Sequence, residues 1–466
     1  MEVKDSFRSY LEEAIGHENA CVAFSAFSQA ASVSVRINPH KPLPAENELA
    51  AAQKVPWSEH GRILQERPVF TLDPLFHAGA YYVQDSSSMF VGEIFRYILA
   101  QQAQGRDLVT SPLRVLDLCA APGGKTTDLA ASLRTVCGDN FILVANEVMK
   151  QRVQVLADNV ALWGDPNVAV ANSDPSDFTP MSSWFDVILA DVPCSGEGMF
   201  RKDLEAQQQW SEDNVKLCQL RQRRIVADVW PSLREGGVFI YSTCTFNRLE
   251  NDENVEWMAD ELGGELLFAD DSSRKDFLYE GVISTRTGFS LVPGFVPGEG
   301  QFCSALRKTS GNLGEFRVSK SFKQAKPSKD QAFPAVKFTQ QMKFKTKGEL
   351  IIAVPSVIKE DLDFLEGFIH LTQSGCAVGT VKGKNLVPSA DLALCRLLAE
   401  DAFVREEVSK EEALKFLHKD AIVLKDAPRG LVLVTYMGLP LGFVKNLGNR
   451  TNNLHPQSRR IRMDIK

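Results

Sequence analysis

The chain has 466 residues, is 44% hydrophobic and 24% charged, and carries a formal net charge of −7. That length accommodates about three domains, the composition is that of a globular protein, and no apolar run reaches the roughly 18 residues a membrane-spanning helix needs. Nine cysteines without a CxxC pair suggest neither a zinc site nor a disulfide framework, so reduced thiols and a cytoplasmic protein are expected.

The opening stretch MEVKDSFRSYLEEAIG is amphipathic, lacks an apolar signal core and predicts a helix over 4–15. With the strand-like VSVRI at 33–37 and the turn NPHKPLP, residues 1–98 read as a small α/β, ferredoxin-like module. It ends in an aromatic run, FHAGAYYVQDSSSM at 76–89.

Residues 99–308 alternate apolar strands with helical periodicity. RVLDLCA (114–120), FILVANE (141–147), VAVANSD (168–174), FDVILADVP (185–193) and VFIYSTC (238–244) are strand-like. Helices are expected over 125–133, 148–164 and 203–234, and FSLVPGFVPGEGQFCSALRK (289–308) reads as a closing antiparallel hairpin. Continuous apolar strands separated by helices predict a parallel sheet covered on both faces. A polar linker follows at 309–330, and 331–466 alternates short strands with helical pieces, among them LVPSADLALCRLLAE, as α+β modules.

The overall acidity conceals two basic segments. Residues 315–349 carry nine Lys/Arg against three acids, and residues 441–466 carry six against Asp464. Such patches either grip phosphates on an acidic protein or solubilise a linker and a tail.

Ligands of an open parallel sheet bind beyond the carboxyl ends of its strands. Asp117, Glu147, Asp174, Asp191 and Cys244 each end one of the five strands, with APGGKTT after the first and PCSG after the fourth. Gly123 and Gly124 allow close backbone approach. An acid after the second strand suits ribose hydroxyls, and one after the third suits an adenine amine. GGKTT is not a phosphate loop, because Cys119 stands where the pattern requires glycine. Acids rather than a phosphate nest suit S-adenosylmethionine, a cationic adenosine cofactor.

The stretches LDLCAAPGGKTTDLA, ANE, NSD, DVPCSGEGMFRKD and YSTCTFNRLENDENV, in that order, resemble the Sun-type RNA (cytosine-5-)-methyltransferases. The C-terminal stretches GKNLVPSADLALCRLL and LPLGFVKNLGNRTNNLHPQSRRIR resemble the bacterial members acting on small-subunit (16S) ribosomal RNA. One departure is Val192, where the family usually has alanine. The resemblance implies a Rossmann-like, class I S-adenosylmethionine-dependent methyltransferase sheet with PUA-like C-terminal modules, and RNA as partner; nothing in the sequence suggests an obligate protein partner, so a monomer is expected. By the same resemblance Cys244 is the nucleophile that adds to C6 of cytosine. Cys194 assists breakdown of the adduct, Asp191 holds the base, and Lys125 is a cation beside the base or thiol. Cys119, Ala120, Ala121, Pro122, Gly123, Gly124, Lys125, Glu147, Asp174 and Asp191 are implied to bind the cofactor. A tRNA cytosine is an alternative target, and a non-catalytic RNA-binding assembly factor an alternative function. A DNA-type enzyme would instead attack with the Pro-Cys thiol, Cys194. Arg36 in VSVRI is expected either to contact RNA or to be a surface charge on an edge strand.

Overall fold

The apolar runs of the central region pair into one sheet buried on both faces. The computed structural model describes residues 5–309 apart from 45, and 336–465 apart from 384 and 425. Residues 310–330 of the expected linker, with Arg317, Lys320, Lys323, Lys326 and Lys329, lie outside the described residues.

Strands β1 (Leu113–Asp117), β2 (Phe141–Asn146), β3 (Val168–Ala171), β4 (Phe185–Asp191) and β5 (Leu233–Thr243) are parallel, in spatial order β3-β2-β1-β4-β5. Strands β6 (Phe289–Leu291) and β7 (Gln301–Lys308) extend the β5 edge antiparallel, with β7 innermost. Beyond β3 a strand from the C-terminal region, β8 (Leu371–Gln373), adds antiparallel. Every residue of β2 is buried, as a strand covered on both faces requires. Helices Phe90–Ala103, Gly124–Cys137 (α1) and Lys150–Trp163 (α2) pack on one face. Helices Glu212–Val229 and Asp252–Leu262 pack near or on the other. Chain order reverses between β1 and β4, so a crevice opens at their carboxyl ends. This is the Rossmann-like sheet expected from the sequence.

Two expected helices are cut by their own capping residues. The stretch 203–234 divides into Leu204–Gln209 and Glu212–Val229, because Ser211 accepts the Asn214 N–H and starts a new helix. The stretch LVPSADLALCRLLAE keeps only Ala390–Leu394: Pro388 ends a strand, Ser389 caps, and Cys395 turns extended.

The N-terminal module is a four-stranded antiparallel sheet in the order Gln53–Val55, Ser58–Leu64, Val33–Ile37, Tyr81–Val83. Arg36 is therefore on an inner strand, and it is 1% exposed. Both sequence expectations for Arg36, RNA contact and surface charge, give way to a structural one. Its guanidinium donates to Gln84 Oε1 (2.8 Å), Gly124 O (3.1 Å) and Thr127 Oγ1 (2.6 Å), and lies 3.8 Å from Asp128. It fastens the module to the start of α1.

The C-terminal region holds two further four-stranded sheets. The first docks on the central sheet through an Arg114–Asp361 hydrogen bond of 3.0 Å and through Trp184 stacked on Phe364 at 5.4 Å. The second shares a core with the N-terminal module, joining Val35, Phe70 and Tyr81 to Phe416, Val432 and Leu441. No helix among the described residues is long and apolar enough to cross a membrane.

Arg36→Met leaves Asp128 and two acceptors of the first turn of α1 without their buried cation. It is expected to cost about 3–5 kcal/mol of stability, read as a lowered midpoint in urea denaturation.

Candidate active site

Strand register brings the two thiols together. β4 and β5 pair with Asp191 opposite Ser242, and each chain leaves the sheet within two residues of that pair. The loops that follow place Cys194 Sγ 3.0 Å from Cys244 Sγ, both cysteines partly exposed and neither disulfide-bonded. Gly198 N–H donates to the Cys244 carbonyl (2.8 Å), and a Cβ on Gly198 would meet Gly300 Cα at 2.7 Å. Only glycine permits that approach.

Two buried carboxylates hold the loops from below. Glu250 accepts from Ser195 N (3.0 Å), Gln222 Nε2 (2.7 Å) and Asn247 Nδ2 (2.8 Å). Glu197 accepts from Phe246 N (2.8 Å), Asn247 N (3.0 Å) and Trp210 Nε1 (2.9 Å). Burial, with repulsion from Glu197, pushes the Glu250 carboxyl up to about 7. Helices Asp5–Ile15 and His17–Phe27 roof the loops, with Phe7 5.0 Å from Phe200 and Phe27 6.1 Å from Phe246.

Beside the thiols, Lys125 Nζ donates to Asp191 Oδ2 at 2.8 Å, and Ser242 Oγ donates to Asp191 Oδ1 at 2.8 Å. Gln301, the first residue of β7, binds the whole group. Its amide nitrogen donates to Ser242 Oγ (2.6 Å) and the Thr243 carbonyl (2.8 Å), and its oxygen lies 3.4 Å from Lys125 Nζ. Burial pulls the Lys125 ammonium down, but Asp191 more than offsets this and leaves it raised, in electrostatic reach of Cys244. The hydrogen bond to Cys244, then burial, pushes the Cys194 thiol well up, so Cys194 stays protonated.

The loop after β1, Cys119 to Gly124, borders the crevice, with Gly123 at φ +111° just before α1. Asp117, at the end of β1, is fully buried. One oxygen accepts from Thr126 Oγ1 (2.6 Å) while Oδ1 has no hydrogen-bond partner among the described residues. Burial pushes its carboxyl up to about 7, with the Thr126 bond opposing. Glu147 follows β2, is buried, accepts from Met149 N (2.9 Å) and lies 3.2 Å from Arg152. Asp174, after β3, caps the turn Pro175–Phe178, accepting from Ser176 and lying 3.5 Å from Arg224. The sequence-predicted residues thus stand along one edge of the sheet. Lys125, Asp191, Cys194 and Cys244 cluster most closely, and Asp174 is engaged in capping.

Sequence reasoning gave no role to Ser242, Gln301, Glu197, Asn247 or Glu250. Four of these, Glu197, Ser242, Asn247 and Glu250, lie within the quoted motifs DVPCSGEGMFRKD and YSTCTFNRLENDENV, whose density of polar residues beside an apolar run was the available signal. For Gln301 the only signal was one polar residue inside the hairpin GEGQFCSA.

Family models match three parts of the chain: the N-terminal domain of 16S rRNA methyltransferase RsmF over residues 4–86, 16S rRNA methyltransferase RsmB/F over 109–273, and the methyltransferase RsmF PUA domain over 404–461. The ribosomal RNA small subunit methyltransferase F of Shewanella piezotolerans is 30% identical over 426 residues, 86% of this chain and 84% of the relative. That of Enterobacter sp. is 29% identical over 486 residues, 97% and 95% of the two chains. The crystal structure of a methyltransferase homolog protein from Pyrococcus horikoshii matches with a TM-score of 0.52 at 25% identity, over 66% of this chain and 95% of that one. On this agreement in sequence, domain order and fold, the chain belongs to the ribosomal RNA small subunit methyltransferase F family.

Proposed function

We propose that this protein methylates C5 of a cytosine in small-subunit (16S) ribosomal RNA, with Cys244 forming a covalent bond to C6. The observation that carries the reading is the pair of thiols in contact beside a carboxylate held by Lys125, Ser242 and Gln301. The names of the relatives support the RNA target.

S-adenosylmethionine, the cofactor of this class of enzyme, supplies an electrophilic methyl on a sulfonium when bound. The residues present fit it. Asp117 Oδ1, buried without a hydrogen-bond partner among the described residues, suits the ammonium group. Glu147 ends the second strand, where nucleoside folds bind ribose hydroxyls. Residues 119–125 offer a glycine-containing backbone, with Asp174 and Asp191 completing the row.

C5 of cytosine is a poor nucleophile. Addition of the Cys244 sulfur to C6 breaks the ring conjugation and makes C5 an enamine-like carbon able to take a methyl. Asp191 holds the base through its ring and amine edge, its carboxylate oriented by Lys125, Ser242 and Gln301. Loss of the C5 proton to water then restores the double bond and expels the Cys244 thiolate. Cys194, kept protonated, can donate to that sulfur as it departs.

Fluorine at C5 cannot leave as a proton does, so RNA containing 5-fluorocytidine traps the adduct. A denaturation-stable adduct is expected with the wild type and with Cys194→Ala but not with Cys244→Ala, whose turnover falls by roughly 10⁴-fold or more. An adduct that survives in Cys244→Ala and vanishes in Cys194→Ala reverses the roles. Bisulfite sequencing of 16S RNA from cells lacking the protein is expected to show loss of protection at a cytosine.

With Asp117 pushed up to about 7 in the free protein, binding an ammonium there must ionise it. Cofactor binding at pH 6 is then expected to release a proton, and affinity to rise with pH until about 7. Calorimetry at pH 6 in two buffers of different ionisation enthalpy reads this. Equal binding heats in the two buffers would remove Asp117 from the cofactor site, as would a proton release that persists in Asp117→Asn.

A further inference from the structure

We propose a second RNA site: a cleft at the seam of the N-terminal module, α2 and the C-terminal region that takes one unstacked nucleotide of the substrate, remote from the target base. This rests on the reading of the protein as an RNA methyltransferase.

The aromatic run FHAGAYY, singled out in the sequence and unused by the chemistry above, forms one wall of the cleft. The cleft measures about 570 Å³ and lies between residues 67–83 and the Asn159–Trp163 end of α2. A hollow of about 250 Å³, sharing Phe76, Asn159 and Leu162, continues it to His455 and Arg459. The larger volume lies within the range of about 300–1,000 Å³ typical of small-ligand sites.

The lining suits a flat ring carrying an anion. Phe76 and Tyr82 are partly exposed rings, and bases stack on such faces whatever their identity. Arg67, exposed at the rim, leans over the Phe70 ring at 5.7 Å and pairs with no acid among the described residues. The acids beside the hollow, Asp158 and Asp391, share Arg459 at 2.9 and 2.6 Å, which offsets one of their two charges. Among the described residues neither ring nitrogen of the buried His455 finds a hydrogen-bond partner of normal geometry, although the Arg459 main chain lies close. Burial pulls that imidazole down to about 4, so it is neutral and presents one donor and one acceptor, the functionality a base edge pairs with.

The occupant is a nucleotide of a chain rather than a free one. The last 26 residues, in which Arg459 lies, carry six cations against one acid, and Lys445, Arg450, Arg460 and Arg462 are exposed. A run of exposed charge serves a phosphate backbone and exceeds what a mononucleotide needs. The cleft is also tied to the cofactor loop, since Tyr82 Oη and Asn159 Nδ2 both donate to the Pro122 carbonyl, at 3.1 and 2.8 Å.

The test uses the full chain carrying Cys244→Ala, so that no covalent capture contributes, and a 16S RNA transcript containing 5-bromouridine. Arg67→Ala, a surface change, and Phe76→Leu are each expected to weaken RNA binding about tenfold, a difference near 1.4 kcal/mol. Photocrosslinks are expected within residues 68–96. In the otherwise wild-type enzyme the same substitutions should raise KM for RNA and leave kcat and cofactor affinity unchanged. Unchanged RNA affinity in both variants overturns the proposal, as do crosslinks confined to other segments. So does uridine monophosphate binding here as tightly as the transcript. The 5-fluorocytidine adduct separates this from the reading beneath it. An adduct without any effect of Arg67→Ala and Phe76→Leu sinks the cleft alone; a cleft effect without an adduct sinks the cytosine chemistry alone.

Discussion

The parallel pairing of β4 with β5, Asp191 opposite Ser242, is the constraint on which the rest of the site depends. Neighbouring strands lie about 4.8 Å apart, so two loops leaving the same edge of adjacent strands can hardly avoid each other. Here that brings two sulfurs to 3.0 Å. A slip of one residue would turn Asp191 to the opposite face of the sheet. It would then lose Lys125, Ser242 and Gln301 together, and the thiols would part. The apolar residues of FDVILA and GGVFIY, buried on both faces, hold the register from within. The polar groups at the edge do not hold the sheet. The sheet holds them.

Much of this was legible in the sequence because it depends on properties local to each segment. A continuous run of β-branched and large apolar residues is a buried strand, and the residue at its carboxyl end is at the ligand edge. Asp117, Glu147, Asp174, Asp191 and Cys244 were placed at that edge in this way, with Cys194 just beyond the fourth strand in PCSG. What could not be read depends on partners far along the chain. Gln301 is one polar residue in a hairpin, and its meaning comes from meeting Lys125 and Asp191. Arg36 looked like a residue of an edge strand until strands on both sides of it closed over its side chain. Glu197 and Glu250 look like ordinary surface acids, yet each is buried and receives at least three hydrogen bonds from the thiol loops and their supports.

The same distinction separates the modules from their assembly. Composition and turns marked an N-terminal module, a central sheet and C-terminal modules, but nothing local said that the first and last would share one core. Nor did it say that the two N-terminal helices would lie across the thiol loops and away from their own sheet, so that Phe7 and Phe27 cover Phe200 and Phe246. That roof excludes water from the backs of both loops. Burial penalises the charged form, so together with repulsion from Glu197 it pushes the Glu250 carboxyl up to about 7 although its three donors oppose the shift.

The joins between modules also bear on the chemistry proposed for the site. A cytosine must be unstacked before a thiol can reach C6, at a cost of a few kcal/mol, and contacts elsewhere on the RNA must offset it. Such contacts help only if the surface that makes them is fixed relative to the thiols, since ordering a loose domain on binding would consume the gain. Arg36, Gln84 and Tyr82 provide that fixity. Arg36, held by Gln84, reaches Gly124 and Thr127, and Tyr82 reaches Pro122, the turn and helix start that lead to Lys125 and so to Asp191. A force on the N-terminal module therefore reaches the carboxylate through a short chain of hydrogen bonds. A rigid frame of this kind converts distant RNA binding into placement of a single base.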